Sequence, residues 1–110
     1  MHELAIAESV VDAVGERVGG ARVTRVLVEV GRLTCVEPDA LRFCFEACAR
    51  GTALEGAALE IVEVSARATC RTCGARDAEV DARVPLCACG SADLELVAGD
   101  RLLVQAVEVA

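Results

Sequence analysis

The stretch ATCRTCGARDAEVDARVPLCACGSADLELVAG, residues 68–99, constrains the fold of this chain more than any other. It is dense in cysteine, glycine, alanine and charged residues and poor in large apolar side chains. About thirty residues of this composition cannot bury a core of their own, so they need a cross-link or a metal. Two cysteine pairs lie in this stretch, each followed directly by a glycine: Cys70 with Cys73, and Cys87 with Cys89.

These two pairs predict a metal site. Two thiolates on one tight turn can hold one face of a tetrahedral ion, and the glycine tolerates the left-handed turn that directs backbone amides toward sulfur. We expect a zinc ribbon with the ligands Cys70, Cys73, Cys87 and Cys89, because sulfur-only tetrahedral coordination favours Zn(II), with an iron–sulfur centre as the lesser option. The alternative is a redox dithiol in the first pair and unrelated thiols in the second. A closed four-thiolate site is structural, since it leaves no position for a substrate.

The other three of the seven cysteines carry weaker predictions. Cys44 and Cys48 lie four residues apart in a predicted helix, and we interpret them as small buried apolar residues rather than as a metal-binding dithiol. Cys35 lies in a predicted loop, and nothing in the sequence predicts a function for it.

Hydrophobic periodicity outlines two helices and three strands around the cysteine-rich stretch. Apolar residues recur at helical spacing from Glu3 to Val18, and Gly19 with Gly20 ends that helix. A second helix is expected to begin at Glu37 and Pro38 and to run through LRFCFEACAR. The strands are predicted in ARVTRVLVEVG, GAALEIVEVSA and RLLVQAVEVA. The apolar stripe of the first helix is predicted to consist of Leu4, Ala7, Val11, Val14 and Val18.

The charge balance excludes several classes of function. The net charge is −7 and all basic residues are arginines, so binding to the phosphate backbone of a nucleic acid is not expected. Neither a long apolar run nor a signal-peptide pattern occurs in the sequence, so we expect a protein of the cytoplasm. A zinc-ribbon module that binds nucleic acid or protein is the main rival interpretation, but it would need a basic, aromatic surface. A thiol enzyme is a second rival, and it would need a base near its cysteines.

The opening MHEL places the only histidine of the chain at position two. An α-amine, deprotonated backbone amides and an imidazole form a planar, nitrogen-rich donor set that suits Ni(II) or Cu(II) better than Zn(II). Position alone leaves a plain solvated residue as the alternative.

The chain resembles the HypA/HybF family of hydrogenase maturation proteins, which deliver nickel to NiFe-hydrogenase. The matching stretches span essentially the whole chain in order: MHELAIAESV, VEVGRL, VEPDALRFCFEACARGT, GAALEI, the CxxCG and CGS pair, and VQAVEV. The opening MHEL and the segment that begins VEP are the specific ones. We call each cysteine pair with its following glycine a knuckle. The second knuckle departs from the family pattern, because CACGS stands where the family usually has CxxCGS.

The resemblance implies an α/β fold of the α+β type, with two helices packed on a three-stranded mixed sheet and an inserted zinc-ribbon domain. We expect a nickel-binding α/β domain over residues 1–66 plus 98–110 and a zinc-ribbon domain over residues 67–97. The nickel site maps to Met1 and His2, with Glu3 beside them. The structural zinc maps to the four knuckle cysteines.

The resemblance also implies two protein partners, the nickel-loading GTPase HypB and the hydrogenase large-subunit precursor that receives the Ni(II). The sequence contains no phosphate-binding loop, so GTP hydrolysis is assigned to the partner and the chain is expected not to be an enzyme. We further expect a monomer or weak homodimer that binds neither nucleic acid nor membrane.

Overall fold

The computed structural model describes residues 2–110, which form two compact units. The first unit comprises Met1–Val28, Val36–Val62 and Leu103–Ala110, and the second comprises Glu29–Cys35 and Glu63–Leu102. Among residues 2–110, no helix has the combined length and apolar character needed to cross a membrane.

Helix α1, His2–Val18, buries a stripe that differs from the predicted one. Ala7, Val10, Val11 and Val14 are buried as the helical period requires, but Leu4 is 42% exposed. The predicted stripe was wrong at Leu4 and omitted Val10. The buried line instead continues back through Glu3, which lies four residues before Ala7 and is only 8% exposed. A charged residue thus occupies the first position of the buried face.

Strand β1, Val23–Gly31, confirms the predicted alternation, because Val26, Val28 and Val30 are all buried. It is the central strand of a three-stranded sheet with the order β2-β1-β6, in which β2 is Ala58–Val64 and β6 is Leu102–Val109. A short 3-10 helix, Arg32–Thr34, follows β1 and was not predicted. The sheet contains the three strands that the sequence pattern predicted.

Helix α2, Pro38–Ala49, begins where the sequence predicted. Glu37 is its N-cap, and the carboxylate Oε2 accepts a hydrogen bond from Ala40 N at 2.7 Å. The helix buries Leu41, Phe45 and Ala49, one side of a helical wheel, and it packs against α1. This packing brings the start of α1 close to the start of α2.

The second unit holds a small antiparallel sheet with the order β4-β3-β5. Strand β3, Arg67–Cys70, pairs with β4, Ala78–Glu79, and with β5, Leu94–Ala98, with a bulge at Arg67 and Ala68. Its core is small, as the composition predicted: Ala66, Ala68 and Val80, packed against Leu33, Ala82 and Leu94. The overall architecture is the expected α+β fold with a cysteine-rich second unit.

Candidate metal centre

The structure brings the four knuckle cysteines together. Cys70 ends β3 and Cys73 lies in the turn after it, whereas Cys87 and Cys89 lie in the loop before β5. Their four Sγ atoms all lie within 4.8 Å of one another. Two of the distances between the pairs are 3.8 Å, from Cys70 Sγ to Cys89 Sγ, and 3.6 Å, from Cys73 Sγ to Cys87 Sγ.

These distances fit a tetrahedral metal ion. Four thiolates at a Zn–S distance of roughly 2.3 Å would lie about 3.8 Å from each other. The distances of 3.8 Å and 3.6 Å between the pairs are close to that value, although the second pair is CxC rather than CxxC. The four sulfurs can therefore hold one ion, and with all four positions filled by protein the site is closed to substrate.

The turns that carry the cysteines depend on the two glycines. Gly74 has a φ of +80° and Gly90 has a φ of +92°, which confirms the predicted left-handed conformation after each pair. Gly74 N donates to Cys70 O at 3.0 Å, and Gly90 N donates to Cys87 O at 2.8 Å. Each knuckle is thus a closed backbone turn that holds its first cysteine in place.

Backbone amides also lower the pKa of the Cys70 thiol. Cys73 N lies 3.5 Å from Cys70 Sγ and donates toward it. This N–H, followed by that of Thr72, lowers the pKa of the Cys70 thiol to about 6. A thiol must lose its proton to bind a metal, so this sulfur is predisposed to be a ligand at neutral pH.

Two polar contacts join the knuckles, and sequence reasoning missed both. The hydroxyls of Thr72 and Ser91 are 2.8 Å apart, with one residue from each knuckle. Arg71 Nη1 donates to Asp93 Oδ1 and to Leu94 O, both at 3.1 Å. Ser91 directly follows the CG of the second knuckle, so the sequence shows a hydroxyl next to this turn. It does not show that this hydroxyl would contact Thr72.

The predicted nickel residues lie at the start of the sequence, and the described ones, His2 and Glu3, are in the first turn of α1. Met1 lies outside the described residues. The His2 side chain is 51% exposed, and its Nε2 lies 3.7 Å from Glu3 Oε2. The same Glu3 oxygen accepts a hydrogen bond from Glu37 N at 3.0 Å. This backbone N–H, together with that of Glu3 itself, lowers the pKa of the Glu3 carboxyl to about 2, so it is ionised at neutral pH.

The remaining cysteines lie outside the four-cysteine cluster. Cys44 and Cys48 are half-buried on α2, less than their interpretation as buried apolar residues required. Burial, followed by the negative charge of Glu8, raises the pKa of the Cys48 thiol. Cys35 is exposed with a φ of +59° and its Sγ lies 3.8 Å from Leu33 O.

Comparison with known proteins gives matches that span nearly the whole chain. The profile of the family described as "Hydrogenase/urease nickel incorporation, metallochaperone, hypA" matches residues 1–109. A hydrogenase maturation factor HypA from Trichormus variabilis is 47% identical over 99% of this chain and 96% of the relative. The protein of the same description from Geotalea uraniireducens is 45% identical over 99% of both chains. These relatives are described as maturation factors rather than as enzymes.

Solved structures share the fold. The solution structure of the Ni metallochaperone HypA from Helicobacter pylori matches with a TM-score of 0.66. It covers 97% of this chain and 96% of that one at 19% sequence identity. At this identity the likeness supports the fold alone, including the two helices and the cysteine-rich unit described above.

Proposed function

This chain belongs to the HypA family of hydrogenase and urease nickel-incorporation metallochaperones, and from that premise we propose that it binds Ni(II) at its N-terminus. It then delivers the ion during maturation of NiFe-hydrogenase. The observation that carries this proposal is the placement of His2: a half-exposed imidazole in the first turn of α1, beside the buried carboxylate of Glu3.

The donor set is the Met1 amine, the His2 imidazole and neighbouring backbone amides, and Glu3 lies beside these donors as part of the site. The first N–H groups of a helix have no intrahelical acceptor, so the His2 amide can lose its proton to a metal without breaking a helical hydrogen bond. Adjacent nitrogen donors on one short segment suit Ni(II), which accepts planar nitrogen coordination. A solvent-accessible imidazole allows the ligands to be exchanged one at a time, as delivery requires.

The four knuckle cysteines hold Zn(II) as a resident structural ion. Their sulfur-only donor set and their spacing support this assignment. In our proposal the nickel-binding domain comprises residues 1–66 plus 98–110, and the zinc-ribbon domain comprises residues 67–97. Zinc supplies the folding free energy that the small core of the second unit lacks.

The chain works through partners in the cytoplasm, as a monomer or weak homodimer. The GTPase HypB takes part in nickel loading, and the hydrogenase large-subunit precursor receives the ion. The acidic composition and the lack of a phosphate-binding loop in the sequence support a binding protein that leaves GTP hydrolysis to its partner.

The nickel site is tested by titration calorimetry of three untagged proteins: wild type, His2→Ala, and a variant with one residue fused ahead of Met1. The first change deletes the imidazole, and the fusion converts the amine to an amide. Nickel affinity should fall steeply in both variants, and it should fall in the wild type as the pH is lowered, because the donors must lose protons to bind.

Zinc content is the control for these titrations. It should stay at about one ion per chain in all three proteins, because the cysteine cluster shares no residue with the N-terminal segment. Unchanged nickel affinity in His2→Ala would overturn the proposed site. Zinc without any nickel binding in the wild type would favour the zinc-ribbon binding module instead.

A further inference from the structure

The carboxylate of Glu3 is buried at the start of α1, and two of the groups near it are the backbone N–H of Glu37 and the imidazole of His2. It lies on the same helical line as Ala7 and Val14, among apolar residues that pack in the first unit. A carboxylate in such a position is retained only where hydrogen bonds satisfy it. Its Oε2 accepts from Glu37 N, the backbone of the α2 N-cap, at 3.0 Å.

The same oxygen faces the imidazole of His2. Nε2 of His2 lies 3.7 Å from Oε2 of Glu3, and the imidazole ring is half-exposed. An N–H on Nε2 would make a charge-assisted hydrogen bond to that oxygen if the two atoms came closer. The other ring nitrogen, Nδ1, is the one that can form a chelate ring of ordinary size with the amide nitrogen of the same residue. The two ring nitrogens therefore have separate tasks.

We propose that Glu3 is a positioning residue for nickel: its carboxylate, held by Glu37 N, accepts from Nε2–H of His2 and leaves Nδ1 for the metal. This inference rests on the nickel site proposed above and assigns a role to the Glu3 side chain within it. A histidine ligand that donates its second N–H to a carboxylate is held in one tautomer and orientation and is a stronger base. The Glu3 carboxylate acts through the imidazole and not as a ligand.

The chemistry of the acceptor predicts a graded series of nickel affinities. Glu3→Gln retains an oxygen that can accept from both donors but removes the charge, whereas Glu3→Ala removes the acceptor. We expect Glu3→Ala to lose roughly 10- to 100-fold in nickel affinity, Glu3→Gln to lose less, and His2→Ala to lose most. Glu16→Gln is the matched control, because it removes one exposed negative charge from the same helix.

Two spectroscopic measurements separate a positioning role from a ligand and from a purely structural role. The visible absorption band of bound Ni(II) should keep its position in Glu3→Gln and Glu3→Ala at saturating metal. Nitrogen NMR of the His2 ring in the metal-free wild type should show one tautomer, protonated at Nε2, and in folded Glu3→Ala a mixture of tautomers. Circular dichroism identifies any variant that fails to fold. If Glu3→Ala does not fold, the comparison of Glu3→Gln with the wild type provides the test.

The outcomes are distinguishable. Wild-type affinity in folded Glu3→Ala, or the same tautomer mixture in both proteins, would overturn the positioning role. A displaced Ni(II) absorption band in either Glu3 variant would show that the carboxylate is itself a ligand, which also overturns it. If His2→Ala alone retains nickel, the proposed nickel site fails, whatever the Glu3 variants do.

Discussion

Gly31 and Gly99 meet backbone to backbone in the second unit. A Cβ placed on Gly31 would lie 2.3 Å from both the carbonyl carbon and the carbonyl oxygen of Gly99. Two hydrogen bonds hold this crossing, from Gly31 N to Arg101 O and from Leu33 N to Gly99 O, each 2.8 Å. The approach is closer than any side chain permits, so it requires glycine.

Gly31→Ala should therefore destabilise the protein strongly. The added methyl group meets rigid backbone that no rotamer change can move, so we expect a loss at or above the upper end of the roughly 1–3 kcal/mol typical of overpacking. Urea denaturation followed by circular dichroism would measure it. Gly15→Ala is the control, because its added Cβ meets no atom within 4 Å apart from its chain neighbours and its own helix backbone, and alanine favours a helix by about 1 kcal/mol over glycine. Equal stabilities of Gly31→Ala and the wild type would contradict the crossing.

Cys73→Ser should release the metal from the four-cysteine cluster. The substitution removes the thiolate that lies 3.6 Å from Cys87 Sγ and leaves three thiolates in the site. Without the metal, the small core around Val80 cannot keep residues 68–97 folded. We expect the zinc content to fall from about one ion per chain and the native NMR shifts of residues 68–97 to be lost, while both helices persist.

Cys35→Ser provides the matched control for that experiment. Cys35 is exposed and lies outside the four-cysteine cluster, so its replacement should leave zinc content and shifts unchanged. Full zinc with native shifts in Cys73→Ser would mean that this residue is not a ligand.

Glu37→Ala tests the cap at the start of α2. The substitution removes the carboxylate that accepts from Ala40 N at 2.7 Å, and loss of an N-cap typically costs about 1 kcal/mol. It leaves the backbone N–H that donates to Glu3 in place. Thermal unfolding should show the loss, and Glu46→Ala, an exposed change within the same helix, should stay within about 0.5 kcal/mol of the wild type. Identical melting of Glu37→Ala and Glu46→Ala would argue against the cap.

Local sequence patterns determined much of this protein. The alternation of Val26, Val28 and Val30 and the start of the second helix at Glu37 and Pro38 each depend on neighbours within a few residues, so both could be predicted without the fold. The cysteine pairs with their glycines were equally local, because a metal knuckle is a single turn. The resemblance in MHEL and the segment that begins VEP predicted the family that the whole-chain comparison confirms.

The tertiary structure decided the features that join distant parts of the chain. The buried carboxylate of Glu3 accepts a hydrogen bond from Glu37 N, thirty-four positions away, which the helical period cannot show, and that period alone misassigned the stripe to Leu4. Strand β4 has two residues, too few for a pattern, and exists because β3 pairs with it. The closeness of Gly31 and Gly99 is likewise invisible in either segment alone. Periodicity reports which face of an element is apolar, whereas these contacts depend on which elements meet, and that is decided only when the whole chain packs.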